Sequence, residues 1–89
     1  MATSSPASMA DRMEAQHAAS NASSAWLPAQ PAEFVHAVLA KQAAYVAYLR
    51  AYAARYPAEA HMLPDAFKGR QLPEHAAFVA AANAVDALR

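Results

Sequence analysis

Positions 35, 38, 42, 45, 49, 52 and 56 step along the chain by three and four, and Gln42 alone among them is polar. Side chains at that spacing share one face of a helix. Projected at about 100° per residue, Val35, Val38, Tyr45, Leu49, Tyr52 and Tyr56 form the face, with Phe34, Leu39, Val46 and Ala53 beside it. Glu33, His36, Lys41, Arg50 and Arg55 occupy the rest of the circumference. The pattern predicts a long amphipathic helix over 31–56. Pro31 suits the first helical position, Glu33 the positive end and Arg55 the last turn. Pro57 stops the helix, because the residue before a proline avoids the α region.

Beyond Pro57 the pattern breaks into shorter pieces. "PAEAHML" predicts a short helix over 57–63, ended by Pro64, and "PDAFKGRQ" reads as a loop in which Gly69 is free to take a positive φ. Pro73 and Glu74 open a C-terminal helix over 73–88. Phe78, Ala82, Val85 and Leu88 lie on one face of it, with Ala77, Ala80, Ala81 and Ala84 around them. Asn83 reads as solvent-exposed rather than as a buried residue that sets register.

Residues 1–30 read as a flexible leader, distinct from a helical domain over 31–89. The leader holds a short helix candidate at 9–19, with Ser8 as its cap and Asp11 completing a capping box. Met9, Met13 and His17 give that helix an apolar edge too narrow to fold alone. "SNASSA" at 20–25 is a polar linker, and "WLPAQP" at 26–31 is extended, with Trp26 an anchor for a groove on this domain or on another protein.

The fold class is therefore all-α: a small helical hairpin or bundle behind a partly disordered, Ser/Ala-rich leader. One glycine and few β-branched residues argue against strands, and abundant alanine argues for helix. The composition also limits the core. Of the 57% hydrophobic residues, 28 are alanine, which leaves 23 larger apolar side chains in an 89-residue chain. A domain of this size buries only about 60% of its unfolded surface, and small domains commonly add disulfides, a metal or a partner. The chain has no cysteine, so self-association or docking on a larger protein is the remaining route.

All four tyrosines, Tyr45, Tyr48, Tyr52 and Tyr56, fall in one stretch of the long helix, with Tyr48 at the edge of the apolar face beside Lys41 and Arg55. A buried tyrosine needs a partner for its hydroxyl, and tyrosine is favoured at protein interfaces. The stripe is therefore expected at a seam with a larger protein subunit or with a second copy of the chain. Trp26, Phe34, Val38, Tyr45, Tyr48, Leu49, Tyr52 and Tyr56 are the candidate contact residues. Ala40, Ala43, Ala44, Ala47, Ala51 and Ala54 form a smooth flank that would admit a second helix closely, or else they reflect the drift of a GC-rich coding sequence.

Charge and chemistry narrow the function classes. Seven Lys and Arg balance seven Asp and Glu, which provides no basic field for nucleic acid. The first residues lack a basic stretch followed by an apolar one, so no secretion signal is read, and no charge-free run is long enough to span a bilayer. A cytoplasmic location is the default. Every serine (4, 5, 8, 20, 23 and 24) lies in the leader, and one glycine cannot build a phosphate-binding loop. His17, His36, His61 and His75 form no ligand-spaced pair, so no cofactor or metal is expected, and Glu74 and His75 read as a capping acid beside a solvated imidazole. The resulting expectation is a non-catalytic accessory or adaptor subunit that stabilises an enzyme or an assembly. The alternatives are a secretion-related or regulatory protein whose leader is an address, a protein laid on an apolar surface, and a haem or metal binder that uses histidines from different helices.

Overall fold

The computed structural model describes residues 8–23 and 30–89. Among these described residues four helices and one 3-10 turn follow in order: α1 (Met9–Ser23), α2 (Ala32–Arg55), the 3-10 turn Pro57–Glu59, α3 (Ala66–Gly69) and α4 (Pro73–Ala87). No strand occurs among the described residues, so the all-α expectation holds.

α2 follows the predicted span closely. Pro31 sits one position earlier than expected, as the cap: its carbonyl accepts from the N–H groups of Phe34 (3.0 Å) and Val35 (3.1 Å). At the other end Tyr56 leaves the helical region (φ −129°, ψ 74°), as a residue preceding Pro57 must. Pro73 opens α4 behind Leu72 as predicted.

The 57–63 helix is shorter than the sequence implies, and only Pro57–Glu59 is helical, as a 3-10 turn. The carbonyl of residue 60 would need an N–H four residues on, where Pro64 has none. It accepts instead from the backbone N–H of Met9 (2.8 Å), and the carbonyl of His61 accepts from Arg12 Nη2 (3.3 Å). These bonds tie the start of α1 to the connector.

α1 also departs from expectation. It runs to Ser23, through the first part of the expected polar linker. The Ser8 cap forms, with Oγ accepting from the Asp11 N–H (3.1 Å), but the Asp11 carboxylate turns to Arg50 Nη2 (3.3 Å) instead of closing the capping box. Arg50 also meets Glu14 Oε1 (3.0 Å), and the side-chain amides of Asn21 and Gln42 exchange hydrogen bonds (2.8 and 3.4 Å). Beneath these polar ties Ala10, Val46 and Leu49 are buried together, with Met9, Met13 and Tyr45 packed against them. The narrow methionine edge is sufficient because α2 receives it. Burying Val46 and Leu49 contributes about 1.5–3 kcal/mol each.

α1 and α4 both run antiparallel to α2 and pack on it far more than on each other. The Cα trace spans only 13 Å in its thinnest direction, so the three long helices form an open, flattened bundle with α2 at its centre.

Candidate interaction surface

Three of the predicted contact residues are closed over by the chain itself: Tyr48, Leu49 and Tyr52 are buried, Tyr52 to 1% exposure. Phe34, Val38, Tyr45 and Tyr56 are half-buried. Trp26 lies outside the described residues.

Tyr52 solves the problem of a buried hydroxyl internally. It donates to Glu59 Oε1 (2.7 Å) and accepts from the Asp65 N–H (3.1 Å). Glu59 Oε2 in turn accepts from Lys68 Nζ (2.6 Å), and that ammonium lies 4.6 Å from the centre of the Tyr56 ring. Asp65 caps α3 by accepting from the Lys68 N–H (3.0 Å). One tyrosine hydroxyl thus joins α2, the 3-10 turn and α3. The hydrogen bond from Lys68, and secondarily that from Tyr52, holds the Glu59 carboxyl below its ordinary value, while the same bond raises Lys68. The segment 64–71, expected as a loop, instead contains α3 and this node. The signal was Asp65 three residues before Lys68, the spacing of a helix cap.

Tyr48 is not at the edge of the apolar face, as the helical projection placed it, but buried at 6% exposure. α4 covers that side of α2: His75 meets the Tyr48 ring edge-on at 5.3 Å, and Phe78 stacks nearly parallel at 6.4 Å. Against the other side of the Tyr48 ring lies Gly69, where a Cβ would come within 2.9 Å of the Tyr48 Cζ and closer still to the hydroxyl. Gly69 therefore serves close approach and not a positive φ, which no described residue adopts. Burial, and after it the nearby Tyr45, Tyr52 and Asp65, raise the Tyr48 phenol above its ordinary value of 10.0.

Space open to solvent lies next to these rings. Tyr45 and Phe78, with ring centres 5.0 Å apart, line two hollows. One, of about 360 Å³, is completed by His17, Val38, Lys41 and Gln42. The other, of about 530 Å³, includes Tyr48, Leu63, Arg70 and His75. Close to the second hollow in sequence, Met62, Leu63 and Phe67 are 51%, 62% and 67% exposed. Arg70 lies over the Phe67 ring at 5.9 Å.

The remaining histidines do not converge. His36 and His61 are exposed, and among the described residues no three His, Asp or Glu side chains gather as a metal-binding group. No helix among the described residues is long and apolar enough to cross a membrane. No family model, curated protein or solved structure matches this chain.

Proposed function

We propose that this chain is a non-catalytic protein-binding module, an accessory or adaptor subunit that docks on a larger protein. The observation that carries the reading is the exposure of Met62, Leu63 and Phe67 within six residues of connector, beside an aromatic hollow. Single exposed apolar residues are ordinary, but a cluster of large ones on a small protein marks a contact surface. Leu49 and Tyr52 support that surface from beneath, and Tyr48 forms part of the wall of the second hollow. Tyr45, Val38 and the connector side chains make the contact. Neither hollow is lined by a described carboxylate or serine.

The test is a photo-crosslinking amino acid at Leu63, installed in the cells that make the protein, with the exposed Asn83 on α4 as control. The reading predicts a discrete crosslinked partner from position 63 and none from 83. No product from 63, or the same products from both positions, contradicts it.

A further inference from the structure

The two hollows have a charge character that the chain as a whole lacks. Seven cationic and seven carboxylate side chains balance overall, yet every charged or titratable nitrogen at these hollows is basic. Lys41 and His17 stand at the first, Arg70 and His75 at the second, and no described carboxylate lines either one. Elsewhere Arg50 pairs with Asp11 and Glu14, Lys68 with Glu59, and Arg89 with Asp86. Arg12 donates to the His61 carbonyl, and Arg55 lies over the Tyr56 ring without an ion pair among the described residues. Lys41 and Arg70 take part in no ion pair among the described residues. Both hollows are lined by the Tyr45 and Phe78 rings, with Lys41 at one hollow and Arg70 at the other.

Resting on the function proposed above, we infer that the two hollows act as one trough and receive an acidic amphipathic segment of the partner protein. The segment's apolar side chains lie on Val38, Tyr45, Phe78 and Leu63, and its carboxylates reach Lys41 at one end and Arg70 at the other. Two features favour a protein segment over a small apolar acid. Small-molecule sites enclose most of their ligand's surface, whereas these hollows are open. Exposed Met62 and Phe67 also adjoin, in sequence, the Leu63 and Ala66 that line the second hollow, and they add apolar surface that a small ligand would leave uncovered. An apolar stripe laid in a groove with charged flanks is a recurring mode of helix recognition, and the charges fix partner choice and orientation more than raw affinity.

The experiment uses the full chain and two fluorescent peptides of about 18 residues, each about 27 Å long as a helix. They share one Leu/Phe face, and one carries Glu flanks while the other carries Lys flanks. Fluorescence anisotropy follows binding to the wild type and to the separate variants Lys41→Glu and Arg70→Glu, whose helix content is first matched to wild type by circular dichroism. The Glu-flanked peptide is expected to bind, and to weaken about tenfold with either variant and in about 0.5 M salt, where the screening length falls to about 4 Å. The Lys-flanked peptide is expected to bind only the variants. Equal binding of the two peptides, no binding of either, or indifference to both substitutions overturns the inference. So does a sedimentation profile in which the chain dimerises and Phe67→Ser abolishes the dimer, since the occupant is then a second copy. A discrete partner crosslinked from Leu63 that engages through a basic or uncharged segment overturns this inference alone and leaves the protein-binding function standing.

Discussion

The Tyr48 ring occupies the space that a side chain at Gly69 would need: a Cβ there would fall within 2.9 Å of the ring's Cζ. The only glycine in the chain is thus a packing residue, and it lets α3 close over a tyrosine that α4 already holds from the other side. The Tyr48 hydroxyl makes no hydrogen bond to another described residue, and no described polar side-chain atom is buried without a partner, so this hydroxyl stays in touch with water.

Gly69→Ala is accordingly expected to destabilise the fold by about 1–3 kcal/mol, the usual cost of overpacking. Tyr48→Phe removes the closest atom and no hydrogen bond, so alone it is expected to shift stability by less than about 0.5 kcal/mol. In the double variant the cost of Gly69→Ala should shrink by about 0.5 kcal/mol or more. Urea melts of the four proteins measure the cycle, and strict additivity would show that the two residues do not meet.

Tyr52 carries a different load. Tyr52→Phe leaves Glu59 without one donor and the Asp65 N–H without its acceptor, which is expected to cost about 1–3 kcal/mol. Tyr56→Phe keeps the ring under Lys68 and should change stability by less than about 0.5 kcal/mol. Thermal melts of the two variants side by side check the contrast, and equal losses would contradict the assigned roles.

The sequence made the helices visible and hid what joins them. Pro31, Pro57 and Pro73 punctuate the chain, and the 3-4 spacing of Val38, Tyr45, Leu49 and Tyr52 defines a helix locally, so α2 and α4 could be read nearly to their ends. Ser8 announced the start of α1 for the same reason. The partners of Tyr52, Arg50 and the residue 60 carbonyl come from other elements, and no local spacing reveals them. That is why the sequence alone gives α1 no attachment to α2 and the Tyr52 hydroxyl no internal partner, although the structure supplies both. The helical projection misplaced Tyr48 because it assumes burial centred on the apolar stripe, whereas α4 covers one flank of it.

The pH response follows from the Glu59–Lys68 pair. Glu59 has a folded-state value below its ordinary 4.5, so its contribution is complete above that value and is lost as pH falls through the depressed one. Lys68 is raised above 10.5, so its contribution is complete below that value and fades as pH rises through the raised one. Melting temperature should therefore hold level between these limits as far as this pair is concerned, and decline on both sides. Glu59→Gln should flatten the acid limb. An acid limb unchanged by that substitution would assign the decline to other carboxylates.

Ser8→Ala removes the cap of α1, at an expected cost of about 0.5–2 kcal/mol. The loss should be local. Amide hydrogen exchange is predicted to quicken across 9–23 while the centre of α2, around Leu49 and Tyr52, is slowed from exchange as before. Uniform quickening through both helices would mean that α1 and α2 open only together.

The central claim is that Tyr48 and Tyr52 close within one chain and leave the trough for a different protein. Circular-dichroism melts over an about hundredfold range of protein concentration test it most directly, because self-association makes the midpoint depend on concentration. The account predicts one cooperative transition with an unchanged midpoint. A midpoint that rises with concentration, or a shallow loss of helix with no cooperative step, would contradict it.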